Sequence, residues 1–137
     1  MKAEEDRAIP ERVKIAKELA NLLSALSHPH RIRIIEALRG RELDVNSLQQ
    51  ILGISHSSVS QNLSVLRAHR VVSERRDGRR VFYSLPQPAL ADWLSTGLNF
   101  LEGELTHSQE IHEALEKVRA LWGESPNGHD SEDSTSR

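Results

Sequence analysis

Residues Ile54 to Leu85 read ISHSSVSQNLSVLRAHRVVSERRDGRRVFYSL. Two periodicities meet in this stretch. Val59, Leu63 and Leu66 stand at helical spacing, so the first half is predicted to be a helix with one buried side. At 100° per residue its opposite side carries Ser57, Gln61 and Ser64, flanked by Ser58 and Ser60. These side chains are short, uncharged and able to hydrogen-bond, which lets a helix approach base edges in a major groove. Gln61 is the strongest base-reading candidate, because an amide both donates and accepts and so matches adenine. After His69 the pattern turns to alternation in VVSERR and RVFYSL, and Asp77-Gly78 between them signals a hairpin. Its tip carries Arg75, Arg76, Arg79 and Arg80, a cationic wing suited to phosphate or minor-groove contact. Arg67, near the end of the helix, is expected to join them in contacting the DNA backbone or minor groove.

Upstream, Asp44 is a good N-cap for VNSLQQIL, whose Val45, Leu48, Ile51 and Leu52 keep helical spacing, and Gly53 suits the left-handed position at its end. Ser55 caps the next helix two residues later. Two short helices so joined are the sequence form of a helix-turn-helix. Before them, Ser27 or His28 can cap a helix with Pro29 in its first turn, directing Ile32, Ile35 and Leu38 inward and stopping at Gly40. A longer helix from Pro10 to about Leu26 carries Val13, Ala16, Leu19, Ala20, Leu22, Leu23 and Leu26. That stripe is wider than a lone amphipathic helix needs, which implies burial on two sides, by its own domain and by a partner subunit.

Downstream, Pro86 and Pro88 admit a fifth helix with Leu90, Leu94, Leu98, Leu101 and Leu105, besides Trp93 and Gly97, on a near-continuous apolar side. Thr106-x-x-Gln109 fits a capping box, opening a further helix or a bent continuation from His107 to about Trp122, with Ile111, Leu115, Val118 and Trp122 on one face. The expected organisation is a flexible 1–9, a single domain over 10–122 and a disordered acidic tail over 123–137.

Within 137 residues and a net charge of −2, charge is strongly segregated. Six arginines face only Glu74 and Asp77 between Ser55 and Leu85, whereas three basic residues face ten acidic ones from Pro86 onward. Local potential rather than total charge attracts phosphate, so this is compatible with DNA binding. The chain has no cysteine, which excludes disulfides and thiolate metal sites. It has no apolar run of membrane-spanning length and no apolar signal region, so a cytoplasmic address and no membrane partner are expected. No Gly-rich phosphate loop, G-x-S-x-G or H-E-x-x-H motif points to catalysis, and the chain is not expected to be an enzyme.

Taken in order and spacing, LSALSHPHRIRIIEAL and DVNSLQQILGISHSSVSQNLSVLRAHRVVSERRDGRRVFYSL resemble the ArsR/SmtB family of bacterial winged-helix repressors over roughly Leu19 to Leu105. The resemblance implies a mainly α fold with a β-hairpin wing, a homodimer joined through the first and fifth helices, an operator of double-stranded DNA and release by an effector, often a metal ion. The family's thiolate stretch reads ELDVNSL here, with Asp44 and Asn46 where cysteines would stand. The positions of its fifth-helix metal site hold Gln87, Ala89, Phe100 and Gly103. Neither set suits zinc, so no cofactor or metal is expected and the effector is unidentified. Asn62 stands where members usually have histidine. His28, His30, His107 and His112 could bind a metal across a dimer, but they read more simply as surface or capping histidines. The alternatives are a MarR-like winged-helix dimer and a winged-helix protein-interaction module.

Overall fold

The structure, a computed structural model, describes residues 9–104 and 109–122. The expected capping box at Thr106, His107, residues 1–8 of the segment 1–9 expected to be flexible, and the tail expected to be disordered lie outside the described residues, while Ile9 of that segment is already helical. Helix α1 spans Ile9–Leu26, α2 Pro29–Ala37, α3 Val45–Leu52 and α4 His56–Ala68. Strand β1 (Leu43–Asp44) precedes α3, and β2 (Ser73–Asp77) and β3 (Arg80–Ser84) follow α4. The helices α5 (Ala89–Glu104) and α6 (Gln109–Leu121) complete the order. The chain divides into two compact units, with the division inside α5 between Ala91 and Asp92.

In the first unit, local chemistry sets the helix ends. Nδ1 of His28 accepts the His30 amide N–H, and Pro29 occupies the first turn of α2, where its missing N–H costs nothing. Asp44 Oδ1 accepts from the Ser47 amide at 2.8 Å, and Ser55 Oγ accepts from the Ser58 amide at 3.1 Å, so both expected N-caps form. Gly53 ends α3 at φ 68°, a left-handed conformation that costs a residue with a Cβ about 1–2 kcal/mol. The Arg33 guanidinium then donates to the carbonyls of Leu52 (3.0 Å) and Ile51 (3.2 Å), supplying cation and donors where α3 leaves carbonyls unpaired. At the end of α4 it is Arg70 that turns left-handed, at φ 59°. The Val71 N–H reaches the Leu66 carbonyl and the Arg70 N–H the Arg67 carbonyl, which is a Schellman closure without glycine.

The core of this unit is Ile34 and Ile35 of α2 and its C-cap Leu38, Leu48 of α3, and Val59, Leu63 and Leu66 of α4, all essentially inaccessible. Ile32 is only half-buried, while Ile34 takes the deep position; the short helix α2 is covered on more than one side, so a single stripe misjudges it. Ile51 is exposed rather than inward.

The sheet has three strands, not two. β1 pairs antiparallel with β3 (Leu43 opposite Tyr83, Asp44 opposite Phe82), giving the order β1-β3-β2. A two-residue strand is too short to show alternation, so its formation depends on the edge that β3 offers. In the hairpin Asp77 pairs with Arg80, which makes Gly78-Arg79 the two-residue loop, one position later than Asp77-Gly78. Gly78 has φ 61°, as a primed hairpin turn requires at its first central residue.

α1 is buried only at Ala25 and Leu26. Ile9 and Val13 on one side, and Ile15, Leu19 and Leu23 on another, are exposed, so burial of this helix on two sides is not met within one chain. In the second unit Leu98, Leu115 and Trp122 form a small core with Leu94 and Val118 packed against it, and Arg119 donates to Asn99 Oδ1 (2.7 Å) and Glu102 Oε2 (2.8 Å). Among the described residues no helix is long and apolar enough to cross a membrane.

Candidate nucleic-acid interface

On α4, Val59, Leu63 and Leu66 anchor one side in the core, and Ser57, Gln61 and Ser64 are exposed on the other, with Ser58 and Ser60 half-buried beside them. Ser57 Oγ lies 3.2 Å from Ser55 Oγ, the N-cap hydroxyl, so its hydroxyl is oriented at the helix start. No hydrogen bond from the Gln61 or Ser64 side chain is found among the described residues.

Asn62 is the exception on this polar helix. It is only 9 % exposed, its Nδ2 donates to the Ser58 carbonyl at 2.8 Å, and its Oδ1 accepts from Arg31 Nε at 3.2 Å. Arg31 also donates through NH1 to the Ala25 carbonyl at 2.8 Å. One guanidinium thereby joins α4, α2 and the end of α1. Asn62 was not among the residues read as inward from the sequence, and its partner lies 31 residues away.

The arginines of the wing divide into two groups. Arg75 and Arg80 both pack on Phe82, each guanidinium carbon 5.0 Å from the ring centroid. Arg75 Nε pairs with Glu42 Oε2 at 2.9 Å and Arg80 NH2 with Asp44 Oδ2 at 2.6 Å. Both carboxylates come from β1 or the residue before it, so the third strand neutralises one face of the wing. The Arg80 hydrogen bond, with those from Ser47, lowers the Asp44 carboxyl to about 2, and the Glu42 hydrogen bond raises Arg75. Arg67 pairs with Glu74 at 2.9 Å, and the same Glu74 carboxylate lies 3.5 Å from the Tyr83 hydroxyl. Burial, followed by the Glu74 charge, raises Tyr83 above its ordinary value. Arg76, opposite Val81, and Arg79, at the tip, have no ion pair among the described residues. An indentation lined by Asn46, His56, Arg79 and Arg80 separates the wing tip from the starts of α3 and α4.

Candidate metal ligands do not converge: among the described residues no three His, Asp or Glu side chains could hold one ion. Asp44 already serves as an N-cap and an ion-pair partner. His112 lies beside Glu116 at 3.3 Å, and Phe100 is 72 % exposed.

The sequence profile of the bacterial regulatory protein, arsR family, matches residues 28–74, the span from the α2 N-cap into the wing. The nodulation protein NolR of Rhizobium meliloti is 37% identical over 101 residues, covering 74% of this chain and 82% of NolR. The chain belongs to the ArsR family. A transcriptional repressor SmtB homolog of Synechocystis is 44% identical over 70 residues, which cover 51% of this chain and 53% of that protein. The crystal structure of NolR from Sinorhizobium fredii superposes with a TM-score of 0.61 at 35% identity, covering 66% of this chain and 91% of that one. This ArsR-family chain is therefore a DNA-binding transcriptional regulator with a winged helix-turn-helix, not an enzyme, and the MarR-like alternative finds no better support.

Proposed function

We propose that this chain is a homodimeric, cytoplasmic repressor that reads an operator through α4 and grips its backbone through the wing. Ser57, Ser58, Ser60, Gln61 and Ser64 would lie along the major groove, with Gln61 meeting adenine and the serines serving either bases or phosphate. The observation that carries this reading is the pairing of an exposed uncharged helix face with a wing whose Arg76 and Arg79 have no ion pair among the described residues, the wing tip lying beside His56 at the start of that helix. Short polar side chains without charge are poor at non-specific attraction, and arginines at a hairpin tip are poor at reading; together they supply both functions.

The division among the arginines suggests different duties. Arg76 and Arg79 would make the phosphate or minor-groove contacts, while Arg75 and Arg80, held by Glu42, Asp44 and Phe82, stiffen the wing and present a second, weaker contact. Arg67, paired with Glu74, ties α4 to the hairpin base. The exposed apolar sides of α1, together with Trp93, Phe100 and Leu101 of α5, support dimerisation through those two helices, whereas Leu94 and Leu98 of the expected α5 stripe are taken up by packing against α6. The effector remains unassigned: the residues at both customary metal positions are unsuited to zinc, and His28, His30 and His112 find no third ligand among the described residues.

Protection mapping on the DNA upstream of the chain's own coding region tests the reading directly. Two protected half-sites about one helical turn apart are expected, as a two-fold symmetric dimer requires. A uniform, salt-sensitive coating with no preferred position would overturn it.

A further inference from the structure

The proposed reading of DNA by α4 directs attention to a groove between the start of α2 and the exposed side of α4, lined by His28, His30, Arg31, Ser58, Gln61 and Ser64, with Asn62 and Val65 behind them. No carboxylate lines it. Arg31 donates to two neutral acceptors, Asn62 Oδ1 and the Ala25 carbonyl, and meets no carboxylate at ion-pair distance among the described residues, so its positive charge is uncompensated there. His28 spends Nδ1 as the acceptor for the His30 amide. In the neutral ring the proton must then sit on Nε2, which makes that nitrogen a donor. His30 stands beside it, ring centroids 5.0 Å apart, with Nδ1 buried and unpartnered, leaving Nε2 as the edge able to meet a ligand. Two imidazole donors, serine hydroxyls and one uncompensated guanidinium make a site for an oxyanion.

We propose that this groove seats a backbone phosphate of the operator, with His28 and His30 donating to its oxygens and the Arg31 charge holding it. The choice of a DNA phosphate over a free one comes from Gln61 and Ser64, which belong both to the groove wall and to the exposed face of α4. A duplex laid along α4 would bring one strand's backbone over the groove. The DNA-contacting surface then includes the N-terminal end of α2, beyond the helix-turn-helix and wing.

The test uses the full chain on the duplex found by protection mapping, with single phosphates replaced in turn by neutral methylphosphonates. The wild type should lose affinity at a phosphate in each half-site that is indifferent in the double variant His28→Asn, His30→Ala. Asn at position 28 keeps an N-cap acceptor but removes the ring donor. On the unmodified duplex the double variant should bind roughly tenfold more weakly, as the loss of a charge-assisted contact implies. If its melting transition shows that it folds poorly, the single variant His30→Ala carries the same comparison. Equal affinity of wild type and variant, or equal sensitivity to every methylphosphonate, would overturn the proposal. Inorganic phosphate provides the other arm: if it perturbs the His28 and His30 ring resonances of the free chain while wild type and variant respond alike to every methylphosphonate, the groove belongs to a free anion and the backbone assignment is overturned. A chain that shows no sequence preference on any duplex would bring down the operator reading itself and this proposal with it.

Discussion

Gln61 and Arg79 divide recognition in a way that two substitutions should separate. Gln61→Ala should relax sequence preference at a cost of about 1–3 kcal/mol on the preferred duplex and leave non-specific binding unchanged. Arg79→Ala should weaken all sequences alike and reduce the salt slope by about one unit, read from affinities at several salt concentrations. Unchanged curves for both would remove α4 and the wing tip from the interface. Asp44 makes a different prediction. Its carboxyl is held at about 2 in the folded chain by Arg80 and Ser47, below the unfolded value of 3.8. The ionised form is therefore favoured by folding, and the stability it contributes is complete above pH 4 and is lost as pH falls from 4 towards 2. Asp44→Asn keeps a capping side chain while abolishing this titration, so urea unfolding of the variant should depend less on pH across that window. Gln61 was legible in the sequence because helical phase alone puts it opposite Leu63 and Val59. The tie of Asp44 to Arg80 was not, since 36 residues separate the partners and only the pairing of β1 with β3 brings them together.

At the scale of the element, the C-terminal ends of the two helices of the helix-turn-helix pose opposite problems. Gly53 at φ 68° and Arg70 at φ 59° both occupy the left-handed region, but only the first is glycine. A Cβ added at Gly53 would meet nothing within 4 Å, so Gly53→Ala should destabilise through the backbone alone, by about 1–2 kcal/mol. Arg70→Gly should instead stabilise the end of α4 by about 0.5–1 kcal/mol. Both shifts are measurable as changes in the urea midpoint at constant slope. The caps at Asp44 and Ser55 and the helices they start were readable, because capping is local chemistry between a side chain and an amide three residues on. The third strand was not readable, and with it went the acidic partners of Arg75 and Arg80. The six-arginine cluster therefore looked more uniformly available for DNA than it is, with Arg67, Arg75 and Arg80 each spoken for by a carboxylate.

For the whole molecule, the unmet apolar surface of α1 is the feature with the widest consequence. Ile15, Leu19 and Leu23 repeat every four residues and are exposed in one chain, as are Ile9 and Val13 on another side. Leu19→Glu should convert the proposed dimer to monomer in sedimentation equilibrium and, because two half-sites are then bound independently, lower operator affinity by far more than Gln61→Ala does. A dimer of unchanged stability would move the interface elsewhere. What the chain determined by itself is whatever repeats or caps within a few residues: the helix-turn-helix, the polar face of α4, the hairpin, the apolar breadth of α1 and the family to which those motifs belong. Tertiary structure decided what depends on residues far apart in sequence: the inward turn of Asn62 onto Arg31, the neutralised face of the wing and the imidazole-lined groove beside α4. The physical reason is range. A cap or a helical phase is set by neighbours along the chain, whereas a guanidinium's partner is whichever acceptor the packed core places within about 3 Å.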